Sequence, residues 1–117
     1  MLEEKNYNNG LAVEILRFTM NPDLQERFLK ADHDIWTIAL SKEDGFISKD
    51  VWINKKKPGE ITTVIYWESL EKWSAIDHKT LERVDREFND FMGEGSFSLE
   101  AMHEGNDYYC VRETIKL

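Results

Sequence analysis

Two strand-like stretches of this 117-residue chain are apolar on both sides, and a chain of this length has no spare element with which to cover both faces of a sheet. From Leu11 to Met20, Val13 and Ile15 fall on one side and Leu16 and Phe18 on the other; from Ile61 to Trp67, Ile61, Ile65 and Trp67 oppose Val64 and Tyr66. The predicted helix between them repeats the pattern. At about 100° per residue, Leu24, Phe28, Ala31, Ile35 and Ile38 make one stripe, while Leu29, His33, Trp36 and Leu40 make a second, roughly 140° round. Only one stripe can face the helix's own sheet. A second copy of the chain is the simplest cover for what remains, so a homodimer is expected.

The element order comes from local signals. Asn21-Pro22 is a helix start, because an Asn side chain caps free backbone N–H groups and proline suits the first helical position; the helix should run to about Leu40 or Ser41, before Gly45. Phe46 to Asn54 is rich in β-formers, and Lys55-Lys56-Lys57-Pro58-Gly59 returns the chain into a strand from Ile61 to Glu68. Ser69 can cap a short helix carrying Leu70, Trp73 and Ile76, and Thr80 a longer one with Leu81, Val84, Phe88 and Phe91, closed by Gly93 and Gly95. Phe97 to His103 and Tyr108 to Thr114 read as two more strands about the turn Glu104-Gly105-Asn106-Asp107. The result is an α+β chain of order β-α-β-β-α-β with an added strand and both helical segments on one face of an antiparallel sheet. Residues 1–10 are polar and turn-prone and read as a flexible N-terminal arm, leaving 11–117 as a single domain.

Composition excludes several classes of partner. The 23 acidic and 15 basic residues give a net charge of -8, which opposes binding to nucleic acid. The one cysteine, Cys110, cannot form an internal disulfide and reads as a small core filler; the N-terminal residues resemble neither a signal peptide nor a membrane span. A cytoplasmic protein with no membrane association is expected.

The element order, together with Asp32-His33-Asp34-Ile35-Trp36-Thr37, Gly45-Phe46, Val51-Trp52-Ile53 and Val64 through Trp73, resembles a small family of uncharacterised bacterial, largely cyanobacterial, proteins. That family looks like a branch of the dimeric α+β barrel superfamily, which includes the antibiotic-biosynthesis-type monooxygenases. The resemblance implies a ferredoxin-like subunit, a homodimeric barrel, and a ligand cavity between each subunit's sheet and helices. It does not imply a particular reaction.

Three groups are candidates for chemistry. His33, between Asp32 and Asp34, is either a general base whose pKa a neighbouring carboxylate raises, or an interfacial histidine bonded toward Thr37. Asp32 lies between the two apolar stripes, so it either forms a salt bridge within the helix or points into the cavity. His103 ends the Leu99/Ala101 strand face and is either a group at a barrel mouth or a surface histidine beside a turn. Trp36, Trp52 and Trp67 are candidate walls for a flat apolar ligand. Trp52 shares its predicted face with Phe46, Ser48 and Asp50, and that half-polar face is the expected cavity wall, whereas Trp73 is expected in the core. His33, His78 and His103 lack the spacing of a metal site, so no metal and no cofactor is expected. The expected function is that of a cofactor-independent, monooxygenase-like enzyme acting on a small aromatic or apolar metabolite. The alternative is a non-catalytic, ligand-binding or stress-related homodimer.

Overall fold

A computed structural model describes residues 3–6, 10–103 and 107–116. Its main sheet contains β2 (Ala12–Met20), β3 (Phe46–Ile53), β4 (Glu60–Trp67) and β5 (Phe97–Ala101) in the order β3-β4-β2-β5, all antiparallel, with the short β6 (Tyr109–Cys110) continuing along the edge of β2 beside Ala12 and Val13. This is the ferredoxin-like α+β arrangement that the element order predicts.

The long helical segment starts as its residues dictate: Asn21 Oδ1 accepts from the Asp23 N–H at 2.9 Å, and Pro22 opens a 3-10 turn, Pro22–Leu24. It then runs as α1 (Gln25–Ala31), a π-helical stretch Asp32–Thr37, and α2 (Ile38–Ser41). In the wide stretch the Ile38 N–H reaches back five residues to the His33 carbonyl. That extra residue merges the two predicted stripes: Phe28, Ala31, Asp32 and Leu40 are buried, while His33 and Ile38 are exposed. Ser69 caps α3 (Leu70–Ser74) by accepting from the Lys72 N–H. The cap of α4 (His78–Met92) is Asp77, not Thr80, so this helix begins one turn earlier than its apolar spacing predicts.

Inward-facing residues alternate along β2 and β4, with Ala12 paired to Trp67, Leu16 to Thr63 and Phe18 to Ile61. Against them pack Phe28 of α1 and Phe88 of α4, both almost fully buried. Phe18, Phe28, Phe88 and Phe97 form one ring cluster, with centroids 4.7 Å apart for Phe18–Phe28 and 5.4 Å for both Phe28–Phe88 and Phe88–Phe97. These separations are those of tilted and edge-to-face aromatic pairs. The opposite face of the sheet carries Val13, Ile15, Val64 and Tyr66, apolar as predicted, with Trp52 beside them at 54% exposure.

Three expectations need correction. Within the polar segment 1–10, Glu3–Asn6 forms a strand, β1, paired antiparallel with β7 (Glu113–Lys116) in a separate two-stranded sheet; residues 1, 2 and 7–9 lie outside the described residues. The single C-terminal strand expected from Tyr108 to Thr114 is two strands, β6 and β7, and the turn at 104–106 lies outside the described residues. Cys110 is exposed at the sheet edge rather than filling the core. Among the described residues no helix is long and apolar enough to cross a membrane.

Candidate functional site

Beyond the phenylalanine cluster, the space between sheet and helices is not filled. A cavity of about 420 Å³ opens there, within the range of small-molecule sites. Its floor is the helix-facing side of the sheet (Glu14, Leu16, Thr63, Ile65, Trp67 and, from β5, Leu99 and Ala101), and its roof comes from Trp36 and Leu40 of the long helical segment, Trp73 of α3, and Leu81, Glu82 and Asp85 of α4. The lining is mainly apolar, so each polar group on it needs a partner or a purpose.

Two of those polar groups satisfy one another. The Lys49 ammonium of β3 donates to Asp32 Oδ2 at 2.7 Å and to Thr37 Oγ1 at 2.7 Å, with only 4% of the lysine side chain and 5% of the aspartate exposed. Asp32 is therefore in the cavity wall, and its salt bridge runs to the sheet rather than within the helix. The π-helical stretch makes this possible. Residues five apart are about 140° apart on an α-helix, whereas a turn closing from i to i+5 brings Asp32 and Thr37 round to one side.

Glu14 is the third polar group. It accepts a hydrogen bond from Trp67 Nε1 at 3.1 Å. Burial pushes its carboxyl above the ordinary value, opposed by that hydrogen bond and by electrostatic interaction with His103 and Lys49. A carboxyl held in this way is a stronger base when ionised and holds a proton nearer neutrality than an exposed glutamate. His103 is the fourth. Its ring stands edge-on to Trp73 with centroids 4.9 Å apart, and its buried Nδ1 has no hydrogen-bond partner among the described residues. A buried unpaired nitrogen on a cavity wall is a ready contact for a ligand.

The sequence candidates divide accordingly. His103, Asp32, Trp36 and Trp67 line the cavity, joined by Trp73, which the sequence reading assigns to the core. His33 does not line it: the wide helical turn leaves it exposed, against the reading of His33 as a cavity base. Trp52 and Asp50 are also absent from the cavity lining, because a β-bulge between Phe46 and Ser48 shifts the alternation. Phe46 faces the helices against Trp67, while Ser48, Asp50 and Trp52 pair with Tyr66, Val64 and Thr62 on the far face. There Asp50 accepts from the Tyr66 hydroxyl at 3.4 Å, and burial and the Asp50 charge together raise the Tyr66 pKa. The half-polar strand face is thus real but looks away from the cavity.

Glu14 and Lys49 escape the sequence reading. Glu14 does carry a signal, as the one acid on the otherwise apolar Ala12, Leu16, Phe18, Met20 face of β2. Lys49 carries none until the bulge is placed. Among the described residues no three His, Cys, Asp or Glu side chains are grouped closely enough to hold a metal ion.

No family model matches the chain, and no curated protein matches it in sequence. Solved structures do match in shape. A monooxygenase from Streptomyces coelicolor, solved with the ligand nanaomycin D, superposes with a TM-score of 0.60 at 14% identity, covering 84% of this chain and 90% of that one. The fold is that of the antibiotic-biosynthesis-type monooxygenases. SnoaB, a cofactor-independent oxygenase from Streptomyces nogalater, matches at a TM-score of 0.56 and 11% identity over 79% of this chain and 88% of its own. A protein from Shewanella oneidensis matches at 0.58 and 15% over 98% of this chain and 100% of its own. Likeness at such identities establishes architecture, and chemistry has to be argued from the site.

Proposed function

We propose that this chain is a monooxygenase-like enzyme that takes a small, flat aromatic metabolite such as a quinol into the cavity and oxidises it with dioxygen without a bound cofactor. The observation that carries the reading is His103 Nδ1, buried and without a partner among the described residues, on the wall of a tryptophan-lined cavity. The likeness to SnoaB, itself a cofactor-independent oxygenase, supports it. The working unit is a homodimer in which a second copy covers the apolar far face of the sheet, and its place is the cytoplasm. On this reading the chain belongs to a branch of the monooxygenase-type barrels, the small and largely cyanobacterial family that its Asp32–Thr37 and Val64–Trp73 segments resemble.

The chemistry needs only proton management from the protein. His103 takes the proton of a substrate hydroxyl, with Glu14 on the same cavity wall. The electron-rich phenolate passes an electron to dioxygen, and the radical pair joins as a peroxide on a ring carbon. The O–O bond then breaks with loss of water, so that a quinol and one dioxygen become a hydroxyquinone and one water. Trp36 and Trp73, which keep exposed surface, hold the ring flat and keep bulk water from the peroxide.

Oxygen uptake on a panel of hydroquinones in air tests this. The wild type should accelerate uptake with at least one, and His103→Ala should lower the rate about 100-fold or more, the usual worth of a positioned base, while binding survives. If a hydroquinone raises the melting temperature but is never consumed, the enzyme reading fails and the protein is a ligand-binding dimer.

A further inference from the structure

The proposed oxidation makes no use of the most expensive group in the cavity wall. Lys49 is a cation with 4% of its side chain exposed, on the inward face of its strand, where it pairs with Ile65 and its inward neighbour Val51 pairs with Thr63. Asp32 balances its charge, but a buried ion pair rarely earns its place by stability alone, because desolvation offsets much of the attraction. Asp32 and Thr37 occupy two of the ammonium's three N–H donors. The third has no acceptor among the described residues, and the side chain borders the cavity. The wide helical turn that brings both acceptors to one side fixes the ammonium in place, so its remaining donor direction is fixed as well.

The surrounding charges limit what that donor can hold. Glu14, Glu82 and Asp85 also line the cavity, and with Asp32 they outnumber Lys49 and His103. A ligand carboxylate or phosphate would meet that excess of negative charge, whereas an uncharged oxygen would not. The geometry points to Lys49 as a specificity-determining residue: its third N–H holds an uncharged phenolic or carbonyl oxygen of a flat aromatic ligand, so that the cavity prefers oxygenated rings over bare hydrocarbons and over ring carboxylates. This inference rests on the proposed reading of the cavity as an aromatic-ligand site. It adds a fixed donor that stays in place as charge develops on the substrate oxygen.

Three probes with one skeleton test it by equilibrium dialysis at neutral pH: naphthalene, 1-naphthol and 1-naphthoate. The wild type should bind 1-naphthol about tenfold or more tighter than naphthalene, the worth of one hydrogen bond to a charged donor, and 1-naphthoate most weakly. In Lys49→Met the naphthol preference should fall to near parity with naphthalene. Because that variant strands Asp32, the Asp32→Asn/Lys49→Met pair, checked for folding by its melt, makes the same measurement without a lone buried charge. Equal wild-type binding of naphthol and naphthalene, tightest binding of naphthoate, or a naphthol preference that persists in the folded double variant each overturns the assignment while leaving the aromatic cavity standing. If none of the three binds, the aromatic-site reading falls and the Lys49 assignment with it.

Discussion

The two ends of the space under the sheet are built by opposite rules. At one end Phe18, Phe28, Phe88 and Phe97 close upon one another, and Phe28 retains no exposed surface. At the other, the same strands and helices stand apart around a cavity of about 420 Å³ that Phe18, Phe88 and Phe97 also border, and the wall carries Glu14, Asp32, Lys49 and His103. The neighbouring residues Ala31 and Asp32 mark the boundary, one in each regime. Burial of apolar surface stabilises the first end. The second forgoes packing and burdens the fold with desolvated charge, which is the arrangement expected where a site is maintained against the interests of stability.

That contrast can be broken or sharpened by substitution. The largest effect belongs to the filled end: Phe28→Ala should cost about 3 to 5 kcal/mol of unfolding free energy in denaturant titration, since it opens a void among three other rings. Lys49→Met should follow at about 3 kcal/mol, because it leaves Asp32 charged and unpaired, and Asp32→Asn/Lys49→Met should recover most of the loss. Failure of that recovery would mean that the pair holds the hollow end together and is not merely tolerated there. Glu14→Gln has a smaller effect of opposite sign. Burial lifts the Glu14 carboxyl above its ordinary value of 4.5, so ionising it weighs against the folded state. The variant should melt higher than wild type at pH values above the raised pKa, where Glu14 is ionised in the folded and the unfolded chain alike. The gain should shrink as pH falls through the raised pKa and vanish below 4.5, where both folded and unfolded chains carry the proton. His33→Ala should be the quietest change, within about 0.5 kcal/mol and without effect on oxygen uptake, because His33 is exposed and belongs to neither end.

The filled end was far more legible in the sequence than the hollow one. Phe28 and Ala31 sit on a predicted stripe, Phe18 and Ile61 on predicted strand faces, and Asn21-Pro22 and Ser69 cap the helices they were expected to cap. Patterns of two and 3.6 residues suffice where the periodicity is unbroken. At the cavity it breaks twice: the bulge after Phe46 turns Trp52 and Asp50 away, and the wide turn at Asp32–Thr37 hides Asp32 and exposes His33. Neither break is signalled by local propensity, so the directions read for Trp52, Asp50 and His33 fail there, whereas Asp32 takes one of the two positions the sequence leaves open. His103, Trp36 and Trp67, also candidates in the sequence, do lie along the cavity.

The wide turn carries a consequence for how such a protein can change over time. Deleting one residue between 32 and 37 would let the helix close into an uninterrupted α-helix whose two ends keep their present phase, because the extra residue is absorbed within the wide turn. Phe28 and Leu40 would stay in the interior, and only the side chains of the turn itself would be re-aimed. A single codon therefore alters the wall of the pocket and leaves the scaffold on either side of it in place. Point substitutions at the wall can repaint the site that exists, but a one-residue insertion or deletion selects which side chains form it.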